Sequence, residues 1–213
     1  DILDLLIATG RAGMKATTLV TSCGTCRESI ETYDFSQELS EPLKHLDIVQ
    51  FLLGRLDVPK EEDKVLYHAA CHVEWVGVHK VKAPDIYRKA LAEATGASVR
   101  LSPGCCGESG LGALTSPAIY NRIRDRKKEQ LASDLARPDS KRPDKNTPVL
   151  VGCPSCKIGV KRCLMQMHRP NEVMHTTEYL AERLGGPKWQ KELRRMIDKG
   201  ERKGRMVLVD AGK

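Results

Sequence analysis

Pro148-Val149-Leu150-Val151-Gly152-Cys153-Pro154-Ser155-Cys156-Lys157 is the stretch on which the fold turns. A short apolar run, rich in β-branched residues, stops at a glycine. Two cysteines follow, and the proline between them stands where a helix tolerates its missing N–H. The stretch reads as strand, turn and helix N-terminus, with both thiols at the joint. An earlier stretch repeats it: Thr18-Leu19-Val20-Thr21-Ser22-Cys23-Gly24-Thr25-Cys26-Arg27. Each leads to an apolar-aromatic helical pattern, Gln50 to Leu56 in the first case and Glu178 to Leu184 in the second. Cys23 to Leu56 and Cys153 to Leu184 span 33 and 31 positions. Agreement this close implies a duplicated unit.

The second copy also has an upstream part that the first lacks. Lys64-Val65-Leu66-Tyr67-His68 reads as a strand leading to Cys71-His72, and Ala97-Ser98-Val99-Arg100-Leu101 as a strand leading to Pro103-Gly104-Cys105-Cys106-Gly107. Helical patterns fill the intervals. One runs from Pro84 to Ala94 before Gly96, the other from Pro117 to about Leu135 before Pro138, each with proline near its start. Arg137 to Thr147, rich in proline, aspartate and lysine, reads as a surface loop. Strands alternating with helices give an α/β fold, with Rossmann-like parallel sheets flanked by helices.

Composition narrows the class. The chain has 213 residues, of which 40% are hydrophobic and 30% charged, so a core can form without disulfides. No apolar run approaches the ~20 residues of a membrane span, so no transmembrane segment is expected, and no signal-peptide pattern is present. The opening Asp1-Ile2-Leu3-Asp4-Leu5-Leu6-Ile7-Ala8 is helix-like and lacks an initiator methionine, which leads us to expect a segment of a longer protein. Eight cysteines, two adjacent and four in Cys-x-x-Cys pairs, suit thiolate ligation in a reducing, cytoplasmic compartment better than disulfides. The net charge of +7 includes Arg122, Arg124, Arg126, Lys127 and Lys128, read as a solvated helix face. Only 4% of residues are aromatic and no nucleic-acid module is found, so no nucleic-acid partner is expected.

Every cysteine group falls at the carboxyl end of an expected strand, where open α/β sheets gather their ligands. Iron–sulfur clusters need several thiolates, and helix N-termini and turn amides stabilise their negative charge. Gly104, Gly107, Gly110 and Gly112 let the backbone bend close to such a group and offer amide hydrogens to its sulfurs. Their spacing is not the dinucleotide fingerprint.

Cys71, then Cys105-Cys106-Gly107, then Cys153-Pro154-Ser155-Cys156 resembles the cysteine-rich CCG domain family, whose members include heterodisulfide reductase and the iron–sulfur subunit of glycolate oxidase. Residues 64 to 184 resemble one whole repeat, and residues 16 to 56 the closing part of a preceding, truncated one. The 46 residues between Cys106 and Cys153 exceed the family's usual spacing, the excess falling in the Arg137 to Thr147 loop. The resemblance implies a four-iron cluster, 4Fe-4S and non-cubane in some members, held by Cys71, Cys105, Cys106, Cys153 and Cys156. Tyr67-His68-x-x-Cys71-His72 and Cys106-Gly107-Glu108-Ser109-Gly110 are closer to the 2-hydroxy-acid oxidase branch. That branch implies an electron conduit from FAD, on a flavoprotein partner or an upstream domain, to a quinone or another redox protein, in the cytoplasm or at the membrane's inner face. A catalytic unit of the heterodisulfide-reductase type and a structural zinc module are the alternatives. Three segments follow: 1–56 closing a first repeat, 57–186 forming a complete second, and 187–213 a basic tail with a short terminal strand.

The remaining candidates have simpler readings beside the functional ones. Cys23 and Cys26 match the final pair of the truncated repeat, whose partners would lie upstream of Asp1; they are either ligands or a free, bridged or zinc-binding pair. His72 either donates to a cluster sulfur or caps a strand end. Glu108 either relays protons or favours a helix N-terminus. His68 and His175 read as structural, and Cys163 as core.

Overall fold

The structure, a computed structural model, describes residues 17–33, 43–72, 75–108, 111–137 and 140–202. The helix-like opening, Gly110 and the short terminal strand lie outside the described residues. The first unit comprises β1 (Thr18–Thr21), α1 (Gly24–Glu31), β2 (Lys44–Asp47) and α2 (Ile48–Leu53). The remainder runs β3 (Lys64–His68), α3 (Ala83–Thr95), β4 (Ser98–Ser102), α4 (Leu111–Thr115), α5 (Pro117–Asp134), β5 (Ala136–Arg137), β6 (Ser140–Pro143), β7 (Val149–Val151), α6 (Pro154–Gln166), β8 (Val173–His175), α7 (Thr176–Gly185) and α8 (Trp189–Arg202).

Two parallel sheets carry the architecture, as the alternation of strand and helix patterns requires. One pairs β1 with β2; the other has four strands in the order β4-β3-β7-β8. Within the latter, β3 connects outward to β4 and β7 outward to β8, so the chain changes direction between β3 and β7. The carboxyl ends of β3 and β7 therefore border a topological switch point, and the register sets His68 opposite both Ser102 and Val151.

The period-two alternation of β3 divides the core. Val65 and Tyr67 pack with Tyr87, Leu91, Leu150, Met174 and Leu180, and Tyr67 stacks on Tyr87 with ring centroids 4.1 Å apart. Leu66 faces the other way, into a cluster of Leu131, Val149, Val151 and Val160 that also holds Cys106, Cys153, Cys156 and Cys163. Val49 of α2 joins the first cluster, so the two-stranded unit is packed onto the larger one. Helix boundaries follow their local signals. Proline opens α3, α5 and α6, and Gly96 ends α3 in the left-handed conformation at φ 75°.

Three local features differ from the sequence reading. Part of the expected loop from Arg137 pairs as the antiparallel β5 and β6. β2 and β8 were not foreseen, being four and three residues long and ending in a polar residue. Lys127 does not lie on a solvated face; its exposure is 2%.

Candidate metal centre

Three strands deliver the thiols. Cys71 follows β3, Cys105 and Cys106 follow β4, and Cys153 and Cys156 flank the first residues of α6 after β7. Their thiols lie close enough to act on one another in a continuous series: Cys71 with Cys105, Cys105 with Cys106, Cys106 with Cys156, and Cys156 with Cys153. The five cysteines singled out from the sequence thus stand together. Cys23 extends the series, with its sulfur 3.9 Å from that of Cys153, and Cys26 adjoins Cys23. The first unit's pair therefore approaches the second unit's thiols within this chain.

The contacts polarise the thiols. Hydrogen bonds from Cys106 and Cys71, with the Gly107 amide, pull Cys105 down to about 2. Cys156 and nearby amides lower Cys153 to about 5. Their donors move the other way: Cys106 rises to about 11 beside Cys105, while Cys71 and Cys156 are pushed well above the usual thiol range by neighbouring sulfurs and burial. Thiolate character collects at Cys105 and Cys153, the form that binds metal. Burial raises Cys23 and Cys163, and Cys163 is a core residue whose thiol points to the Arg124 carbonyl at 3.9 Å.

The backbone around the site is shaped by glycine. Gly104 and Gly107 have φ of 96° and 72°, conformations that a side chain resists, and the Gly107 amide donates to Cys105 Sγ at 3.4 Å. Arg124 of α5 clamps the same turn by donating to the Gly107 carbonyl at 3.1 Å. At Gly24 the constraint is a close approach. A Cβ there would fall 1.8 Å from the His72 carbonyl oxygen, so the start of α1 rests directly on the backbone after Cys71.

Two buried groups complete the environment, and neither was singled out as functional from sequence. Lys127 donates to Ser102 Oγ at 2.8 Å, to the Pro103 carbonyl at 3.0 Å and to the Ser102 carbonyl at 3.4 Å, just before the Cys105-Cys106 turn. Burial lowers it to about 8, opposed by Asp134 and the nearby thiols. A cavity of about 300 Å³ adjoins it, bounded by Gly104, Cys105, Ile123 and Arg126. His68, the last residue of β3, is fully buried, and one of its ring nitrogens lies within 4.8 Å of the sulfurs of both Cys106 and Cys156. Burial and the Lys127 charge push its imidazole down to about 3, which keeps the ring neutral.

The other candidates sit further out. His72 is exposed, and its Nδ1 pairs with Glu28 of α1. Glu108 is bound to Arg162 of α6 at 2.7 Å. His175 caps α7: its Nδ1 accepts from the Thr177 amide, while the Glu178 carboxylate accepts from the His175 amide.

Soft thiolates with one neutral imidazole form a donor set suited to iron–sulfur or zinc binding. The residues present fit such a group. No helix among the described residues is long and apolar enough to cross a membrane. Residues 65–161 match the family model described as the CCG cysteine-rich domain, a span that contains Cys71, Cys105, Cys106, Cys153 and Cys156 but neither Cys23 nor Cys26. No curated protein and no solved structure matches the chain.

Proposed function

We propose that this CCG cysteine-rich domain chain is an iron–sulfur electron-transfer unit, with a four-iron cluster held by Cys71, Cys105, Cys106, Cys153 and Cys156. The observation that carries the reading is the unbroken series of neighbouring thiols that those five cysteines form at the ends of three parallel strands. A cluster bound there supplies a one-electron reservoir. The protein's own groups prepare the place for it. Cys105 and Cys153 hold thiolate character, the Gly107 amide donates to sulfur, and buried Lys127 sets a positive charge beside an anionic centre. The partners that fit are a flavoprotein of the glycolate- or lactate-oxidising type as donor and a quinone or redox protein as acceptor. The division into a truncated repeat to residue 56, a complete repeat to 186 and a basic tail belongs to the same proposal.

One observation favours a second reading, a zinc site. His68, Cys106 and Cys156 alone form a compact three-donor group of the kind zinc takes. Anaerobic preparation, with iron, sulfide and zinc counted per chain and electron paramagnetic resonance of oxidised and reduced samples, separates the two. About four irons and four sulfides support the cluster. One zinc with no recoverable iron overturns it.

A further inference from the structure

We infer that His68 is a nitrogen ligand of the metal centre, so that the cage takes its metal through mixed sulfur and nitrogen donors rather than thiolates alone. This rests on the reading that the cysteine cage binds metal.

Three independent features converge on the imidazole. The first is placement: strand alternation turns His68 to the same face as Leu66, the face that carries Cys106, Cys153 and Cys156, and the parallel register fixes it between the ends of β4 and β7. A ligand at the end of a paired central strand is held more rigidly than one on a loop. The second is distance. A ring nitrogen and the Cys106 and Cys156 sulfurs lie mutually within 4.8 Å, close to the separations of ligands sharing one ion with bonds of about 2.0–2.3 Å.

The third is an unmet hydrogen-bonding need. Among the described residues neither ring nitrogen finds a well-formed hydrogen bond, although the ring is fully buried. Buried polar groups without partners are rare because their desolvation is uncompensated. The Ser102 carbonyl lies close enough to act on the ring, and it is the carbonyl that Lys127 also holds. A metal-bound histidine ordinarily donates its other N–H to such a carbonyl, which orients the ring. His68 therefore has a carbonyl acceptor and two sulfurs within reach of its ring. A merely structural histidine would need a second protein partner, and none is formed among the described residues.

The test uses the full chain, prepared anaerobically and reconstituted with iron and sulfide, in parallel with a sample titrated with Co(II) alone. Pulsed electron paramagnetic resonance of the reduced iron sample should show a nitrogen coupling several-fold larger than that of an amide donating to sulfur. It should change to the ¹⁵N pattern when histidine is selectively ¹⁵N-labelled, a comparison that needs no mutation. His72→Gln should leave the coupling in place. His68→Cys should retain metal but lose the coupling and shift the reduction potential downward, as thiolate replaces imidazole. His68→Leu should weaken Co(II) binding at least about tenfold and shift its absorption bands. Metal retained in the wild-type chain without any histidine coupling overturns the His68 assignment and leaves the cysteine site standing. A chain that binds neither iron nor cobalt overturns both.

Discussion

The two strand–Cys-x-x-Cys–helix units carry nearly the same local instructions and arrive at different environments. In each, a short parallel strand ends at the first cysteine, a helix begins there, a second strand pairs in parallel, and a residue at its end caps the next helix. Even the capping box recurs. Asp47 accepts from the Val49 and Gln50 amides while Gln50 reaches back, and His175 and Glu178 do the same for α7. Yet Cys153 and Cys156 are buried within the four-stranded sheet's core, whereas Cys23 is half-buried and Cys26 exposed beside a two-stranded sheet. The local pattern sets where thiols stand relative to strand and helix. What they can bind depends on which neighbouring strands bring further donors. β7 lies beside β3 and within reach of the turn after β4; β1 has β2 alone among the described residues.

The largest expected effect tests that difference directly. Cys153→Ser with Cys156→Ser should abolish iron and sulfide binding, whereas Cys23→Ser with Cys26→Ser should leave metal per chain close to the unaltered protein. Metal analysis of the two double variants side by side decides it. Equal loss would show that the first unit ligates too, through the 3.9 Å approach of Cys23 to Cys153.

A smaller effect concerns how the units are held together. Gly24→Val has no room for its side chain against the His72 backbone, so α1 must move away from Cys71 or the local fold must give. A loss of about 1–3 kcal/mol in unfolding free energy is expected from such overpacking. It should be accompanied by faster alkylation of Cys71. The exposed control Ser29→Val should change stability by under about 1 kcal/mol. If Gly24→Val unfolds at the same denaturant concentration as the unaltered chain, the first unit does not rest on the second as described.

Much of this was legible beforehand because the signals were local. Apolar runs ending at Cys71, Cys105 and Cys153 marked strands, proline and glycine marked helix ends, and the sequence positions of the thiols implied their convergence. What escaped was set by tertiary contact. β3 reads Val-Leu-Tyr-His without polar alternation, because both of its faces are buried, so nothing in the run shows that His68 faces the thiols. Lys127 sits among basic residues on a helix whose apolar positions form no clear stripe; only the fold reveals that it turns inward to Ser102 and Pro103. β2 and β8 are too short to announce themselves, and become strands through pairing with neighbours.

The capping residues sharpen the comparison at its smallest scale, through pH. Burial raises Asp47 from the ordinary 3.8 to about 6, only partly offset by the amides it caps and by Arg27. The folded state therefore binds this proton more tightly than the unfolded one. The associated stability is fully present below about pH 4 and is lost as pH rises through about 6. Burial moves His175 the other way, below its ordinary 6.5, so the folded state resists its protonation; its contribution is present above that value and lost in acid. Asp47→Asn preserves a capping side chain while removing the buried charge. Its unfolding free energy, measured from about pH 4 to about pH 7 against the unaltered chain, should show a difference that grows in the variant's favour by up to about 3 kcal/mol. His175→Asn should flatten the acid side instead. Parallel pH profiles for Asp47→Asn and the unaltered chain would mean that Asp47 is solvated, and that the first unit packs less closely than the second at its helix cap as well as at its cysteines.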